Sequence, residues 1–143
     1  MRICGVELAA NDAVISLIEL ENDVFDIPDC RARKLSLPKE HTREVLQRFQ
    51  FAFAKLMSDY RVDKVVIKER LTKGKFAGGA VSFKLESAIQ LIENIDVITL
   101  SAAQIKAALS EQPLPVSFSE TGLKGFQEAA LTVAYAAHML RSS

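Results

Sequence analysis

The sequence predicts one α/β domain in which helices cover both faces of a mixed sheet. Three strand-like segments joined by short polar turns come first, and such a series typically forms an antiparallel meander. Helix-like and strand-like segments alternate after them, which favours parallel strands joined by crossover helices. The length of 143 residues suits a single domain, and 49% of the residues are hydrophobic, which is enough for a core.

The first three strands follow from apolar runs separated by turn-forming residues. Residues 2–8 are apolar on both faces through Ile3, Cys4, Val6 and Leu8, and Glu7 interrupts the run. Such a run favours a central strand of a covered sheet. Residues 13–20 predict the second strand, and residues 24–27 predict a shorter third strand. Polar residues between these runs supply the turns of a meander.

The rest of the chain predicts four helices and two further strands. Ser36 and Pro38 favour the start of the first helix, because proline is tolerated in a first turn. Ser101 and Gln104 match a capping box, which favours the start of the third helix. Apolar spacing gives the remaining elements, which are strands at 63–69 and 95–100, a helix with its apolar face between 81 and 92, and a last helix at about 121–140.

Charge, apolar runs and cysteines limit the classes of partner. The 18 basic and 18 acidic side chains balance, so any nucleic-acid partner requires a local basic patch. The apolar runs are far shorter than a bilayer span, and the first residues form a strand pattern rather than a signal peptide, so we expect no membrane partner and a cytoplasmic location. Cys4 and Cys30 lack metal-site spacing, and we expect two reduced thiols.

Carboxylates near two predicted strand ends indicate a candidate metal site. Glu7 closes the first strand and Glu69 closes the fourth, and these strands are expected to lie side by side in parallel. Two like charges on adjacent strand ends repel each other unless a cation lies between them. Oxygen ligands suit magnesium or manganese. Glu128, among small residues of the last helix, is the third candidate. Such a cluster is able to hold two metal ions about 4 Å apart for phosphodiester cleavage.

Basic residues near the same strand ends are candidate phosphate ligands. Arg70, Lys73 and Lys75 belong to a glycine-containing segment that lacks the spacing of an ATP-binding loop. Lys124 is a further candidate phosphate ligand, and it has two other interpretations. It either forms surface ion pairs with Glu120 and Glu128, four residues away on one helix face, or enters the acidic cluster and replaces a metal with its own charge.

Three of these segments resemble the ribonuclease H-like superfamily. Gly5-Val6-Glu7 resembles its Gly-Ile-Asp opening, residues 65–69 resemble the fourth strand of its RuvC/YqgF-type branch, and residues 128–134 resemble the final helix of that branch. The chain also resembles a small bacterial family of unknown function within the superfamily. The resemblance implies a five-stranded sheet in the order 3-2-1-4-5 with strand 2 antiparallel, and a metal-dependent nuclease site at Glu7, Glu69 and Glu128.

The acidic residues depart from the pattern of that branch in two places. The first acid is normally aspartate but is Glu7 here, and the two aspartates of the last helix are replaced by Gly125 and Glu128. Two hypotheses follow. The first is a nuclease or phosphodiesterase that uses magnesium or manganese and acts on nucleic acid. The second is a catalytically degenerate module of the same fold that acts through protein partners or as a homodimer.

Overall fold

The computed structural model describes residues 1–74 and 78–142. Within these residues the strands are β1 (Arg2–Ala9), β2 (Asp12–Glu21), β3 (Val24–Asp26), β4 (Lys34–Ser36), β5 (Lys64–Lys68) and β6 (Asp96–Leu100). The α-helices are α1 (Arg43–Asp59), α2 (Ala80–Gln90), α3 (Ala102–Glu111) and α4 (Glu128–Ser142). None of the helices in the described ranges is long and apolar enough to span a bilayer.

The six strands form one mixed sheet in the order β3-β2-β1-β5-β6, and β4 pairs separately with β2. β2 runs antiparallel to β1, whereas β5 lies parallel to both β1 and β6. This confirms the predicted fold class and strand order. The sequence did not predict β4, a strand of three residues in which Lys34 pairs with Val14 of β2.

Two apolar cores lie on opposite faces of the sheet, because successive strand residues point to opposite sides. On one face Cys4, Val6 and Leu8 pack with the buried side chains of α1 and α2. On the other face Ile3 and Val66 pack with α3 and α4. The face on which a side chain lies therefore follows from its position along its strand. Both cysteines are free thiols.

The first helix begins later than predicted. α1 starts at Arg43, and the hydroxyl of Thr42 caps it by accepting from the N–H of Val45. The expected start at Ser36 and Pro38 is wrong because Ser36 already belongs to β4. The capping box at the start of α3 is confirmed in both of its hydrogen bonds.

The last helix also begins later than predicted. Two short 3-10 turns, Phe118–Thr121 and Gly125–Gln127, precede α4. Gly122 between them has a φ of 78°, a left-handed conformation that ends a helical segment. Glu120 and Lys124 consequently do not share an α-helical face with Glu128. The predicted row of surface ion pairs is wrong for this reason.

Candidate functional site

The candidate site lies at the carboxyl edge of the sheet, the edge at which the parallel strands β1, β5 and β6 end. The register of β1 and β5 pairs Cys4 with Val65 and Val6 with Ile67. The two strands that carry Glu7 and Glu69 are therefore neighbours, as the sequence predicted. Which face each carboxylate occupies is decided by the alternation along each strand.

Glu7 lies on the face covered by α4. Ile3, four residues earlier in β1, packs in the core against α4. A β-carbon placed on Gly5 would meet the backbone of Ala130 and Ala134 in α4, so this face of β1 points to that helix. Glu7 follows two residues later on the same face and is half-buried.

Glu69 lies on the opposite side, toward α2. Val65 and Ile67 pack in the core beneath α1 and α2, and Glu69 continues this alternation while its N–H donates to the carbonyl oxygen of Leu100. Burial raises the pKa of Glu86 in α2, and the nearby carboxylate of Glu69 raises it further. The expectation that Glu7 and Glu69 face each other is therefore wrong, although their strands are adjacent.

Lys68 is the residue of β5 that accompanies Glu7. One step beyond the pair Val6–Ile67, the register brings Glu7 level with Lys68. Val66 packs against the α4 core, so Lys68 lies on the α4 face as Glu7 does. Lys68 is half-buried. Side chains alternate between the two faces along β5, so the sequence signal for Lys68 as this neighbour is its position two residues after Val66.

A second lysine lies on the other side of Glu7. Val14 of β2 separates the two residues, since it pairs with Glu7 in β1 and with Lys34 in β4. The Nζ atom of Lys34 lies 5.7 Å from the ring centroid of Phe126, just before α4, and 3.6 Å from Oδ2 of Asp12. These contacts confirm that Lys34 extends along the α4 face.

Glu128 does not converge on Glu7. It is the exposed first residue of α4, whereas the neighbouring Gln127 is buried and donates from Nε2 to the carbonyl oxygen of Ile15 at 3.0 Å. Gln127 is therefore the residue that faces the sheet here. The preceding Phe126 is 48% exposed.

The predicted phosphate ligands differ in accessibility. Lys73 and Lys124 are exposed. Arg70 is half-buried. Its Nε atom would lie 2.8 Å from a β-carbon placed on Gly78, so part of the guanidinium is covered by this glycine. Lys75 lies outside the described residues.

The carboxylates do not fit a shared metal ion. Magnesium and manganese require several oxygen ligands directed at one point. Glu7 faces α4, Glu69 faces α2 and Glu128 lies at the surface. Residues 1–74 and 78–142 contain no group of three or more His, Cys, Asp or Glu side chains that could hold a metal ion. The metal-binding and catalytic roles of these three glutamates stay a prediction.

The ion pairs are distributed unevenly between the two edges of the sheet. Five of the six pairs in the described residues lie at the amino edge, where β1, β5 and β6 begin, and join Met1 to Glu21, Arg2 to Glu19, Arg31 and Lys55 to Asp59, and Lys64 to Asp96. The pair at the carboxyl edge joins Lys34 to Asp12. No recorded pair within 4.0 Å includes Lys68, Arg70, Lys73 or Lys124 as far as the described ranges extend. In these ranges the carboxyl edge therefore carries basic side chains that lie outside any close ion pair.

Solved structures with a similar fold include RuvC and a viral Holliday junction resolvase. The RuvC structure from Thermus thermophilus has a TM-score of 0.75 and 14% identity, and the match covers 99% of this chain and 96% of that one. T. thermophilus RuvC in complex with Holliday junction substrate has a TM-score of 0.72, 15% identity and the same coverage. The fowlpox virus Holliday junction resolvase has a TM-score of 0.53 and 11% identity, with 100% of both chains covered. These similarities show the fold alone.

Sequence comparisons identify a family but no curated relative. No curated protein gives a significant match. The family described as "Protein of unknown function (DUF3010)" matches residues 1–137, which is nearly the whole chain. This protein belongs to the DUF3010 family.

Proposed function

We propose that this protein binds branched nucleic acid through phosphate contacts at the carboxyl edge of its sheet. The observation that carries the proposal is a set of lysines at this edge, Lys68, Lys73 and Lys124, which form no ion pair within 4.0 Å among residues 1–74 and 78–142. The similarity in fold to RuvC, one structure of which contains a Holliday junction, supports branched DNA as the substrate class.

The electrostatics of the chain suit an oriented and salt-sensitive interaction. The formal net charge is zero, so attraction to DNA depends on the local patch. At the amino edge basic groups are already paired, because Glu21, Asp59 and Asp96 form ion pairs with them. Phosphates would therefore be attracted to one end of the sheet. Each phosphate contact releases counterions, so affinity should fall steeply as the salt concentration rises.

The test compares a four-way junction with a linear duplex of the same sequence by fluorescence anisotropy. We expect tighter binding of the junction, and a loss of about tenfold or more for the variant Lys73→Glu/Lys124→Glu, because two phosphate contacts become repulsive. The same variant should have a shallower dependence on salt. Unchanged affinity and salt dependence in this variant would contradict the proposal.

Lys55→Glu is the control for charge reversal. Lys55 is exposed and lies near the end of α1, at the amino edge, where it pairs with Asp59 at 3.3 Å. An exposed pair of this kind contributes little to stability, about 0.5 kcal/mol. Lys55→Glu should bind the junction within about twofold of the wild-type affinity. An equal loss in the control would show that total charge, rather than the carboxyl edge, determines binding.

A metal-dependent nuclease or phosphodiesterase is the second candidate function. The observations that favour it are the RuvC fold over 99% of the chain and the half-buried Glu7 beside α4. Cleavage of a labelled junction in magnesium or manganese, lost in Glu7→Gln and kept in Glu19→Gln, would establish it. Activity that survives both Glu7→Gln and Glu69→Gln would exclude these carboxylates from the chemistry. A wild-type protein that leaves the junction intact with either ion would leave binding as the function.

A further inference from the structure

We infer that Lys68, in place of a metal ion, supplies the positive charge beside Glu7 on the α4 side of the carboxyl edge. Phosphate binding at this edge is then independent of divalent cations. The statement about phosphate rests on the proposed function, whereas the statement about the charge beside Glu7 does not.

The register of the two central strands places Lys68 where a second carboxylate would be needed. Lys68 is level with Glu7 on the neighbouring parallel strand, and adjacent strands lie about 4.8 Å apart. Both side chains are half-buried and both lie on the α4 face. The two side chains form no ion pair within 4.0 Å, but an ammonium group on the neighbouring strand opposes a divalent cation and attracts an anion.

α4 does not supply the missing oxygen ligands. The buried residues of its first turns include Ala130, Leu131 and Ala134, and the amide of Gln127 is already engaged with Ile15 and Lys124. Glu7 is thus the carboxylate that β1 presents under α4. A single carboxylate supplies far fewer oxygen ligands than a protein needs to bind a divalent ion stably.

Lys34 brings a second ammonium group to this face of the sheet. It lies across Val14 from Glu7, so lysines occupy positions on both sides of this carboxylate. Asp12 is the acidic partner of Lys34, 3.6 Å from its Nζ, and faces the same side. A lysine ammonium is a compact charge with three donors and binds phosphate without fixed coordination geometry. The local chemistry therefore suits a phosphate group better than a bare metal ion.

The first experiment measures thermal unfolding in manganese chloride without any nucleic acid. The melting temperature of the wild type should stay within about 1 °C, whereas Lys68→Glu should gain about 4 °C at a manganese concentration ten times its Kd, because the carboxylates at 7 and 68 then face each other. The gain should disappear in Lys68→Glu/Glu7→Gln. Lys106→Glu, at an exposed site in α3, is the charge-matched control and should show no gain.

Two results of this experiment would overturn the inference. One is a manganese-dependent rise in the wild type that Glu7→Gln abolishes, because the site would then hold a metal already. The other is a folded Lys68→Glu that gains no more stability than Lys106→Glu. Circular dichroism in the absence of metal establishes that each variant is folded, and Lys68→Asp replaces Lys68→Glu if the latter is unfolded.

The second experiment measures junction binding in EDTA and in magnesium. The wild type should bind with affinities within about twofold in the two conditions, and Lys68→Gln should lose about tenfold or more in EDTA. Binding that requires magnesium would overturn the inference. If the wild type binds no nucleic acid at all, the proposed function fails while the manganese experiment still decides the charge beside Glu7.

Discussion

Gly5 in β1 lies directly against Ala134 in α4. A β-carbon on Gly5 would lie 2.9 Å from both the backbone nitrogen and the β-carbon of Ala134, and it would collide with the carbonyl oxygen of Ala130. Backbone atoms inside a helix move little to accommodate such a group. The absence of a side chain at Gly5 therefore sets how closely α4 approaches the sheet beside Glu7.

We expect Gly5→Ala to destabilise the protein. The added methyl group forces α4 away from β1, and overpacking of this kind costs about 3 kcal/mol, which lowers the melting temperature by roughly 10 °C in a domain of this size. Thermal unfolding by circular dichroism measures the change. Gly125→Ala is the matched control, because a β-carbon there would meet nothing within 4 Å, and it should melt within about 2 °C of the wild type. Similar melting of both variants would refute the close contact.

Glu86→Gln should stabilise the protein at neutral pH. Burial and the neighbouring Glu69 raise the pKa of Glu86 above its ordinary value of 4.5. The ionised form is therefore disfavoured in the folded state, and this cost is present above the folded pKa and disappears as the pH falls toward 4.5. We expect a rise of about 2 °C in melting temperature at pH 8 and no difference near pH 4.5.

The control for this prediction is Glu93→Gln, at an exposed position after α2. It removes the same charge without the neighbouring carboxylate, so its melting temperature should stay near that of the wild type at both pH values. Glu69→Gln should stabilise in the same direction as Glu86→Gln, because it removes the repelling partner. Destabilisation by both glutamine variants at pH 8 would refute repulsion between Glu69 and Glu86.

The central strands were predictable because their apolar runs are long. Residues 2–8 and 63–69 were predicted as strands, and the structure has β1 at Arg2–Ala9 and β5 at Lys64–Lys68. Burial of both faces leaves few alternatives for such runs. The edge strand β4 has three residues and one half-buried apolar side chain, Leu35, so its pattern is too short to distinguish a strand from a loop.

The candidate site was harder to predict because it depends on single positions. The end of β5 decides whether Lys68 or Glu69 faces α4, and a shift of one residue reverses the answer. The start of α4 depends on Gly122, whose φ of 78° interrupts the helical pattern that apolar spacing suggested. The site therefore followed less securely from the sequence than the fold that carries it.

His138 should make the stability of the protein depend on pH. Its side chain is fully buried in α4, with Nε2 2.9 Å from the carbonyl oxygen of Ile18. Burial lowers the pKa of His138, Arg141 and the amino terminus of Met1 lower it further, and the hydrogen bond with Ile18 opposes them. The unfolded chain therefore takes up a proton first as the pH falls below 6.5, the ordinary value.

The stability associated with His138 is thus present above pH 6.5 and is lost as the pH falls from there through the folded pKa. We expect the wild type to lose about 3 °C or more in melting temperature between pH 7 and pH 5, and His138→Gln to lose less. The control variant His41→Gln retains the buried imidazole of His138, so its melting temperature should depend on pH as that of the wild type does. Equal slopes in the wild type and His138→Gln would contradict this explanation.

Gln127 should hold the start of α4 at the carboxyl edge. Its side chain is buried, donates to the carbonyl oxygen of Ile15 and accepts from the N–H of Lys124, each at 3.0 Å. Gln127→Leu fills a similar volume but leaves both backbone groups without these partners, at a cost of about 2 kcal/mol. The measurement is urea unfolding at pH 7.

Gln112→Leu is the control, because Gln112 is exposed at the end of α3, and its free energy of unfolding should stay within about 0.5 kcal/mol of the wild-type value. Gln127→Leu should also weaken junction binding by more than Gln112→Leu does, since Lys124 loses the bond that fixes its backbone. Wild-type stability in Gln127→Leu would show that α4 is held by its apolar contacts with β1 alone. A loss of stability without any change in junction binding would separate Lys124 from the phosphate contacts.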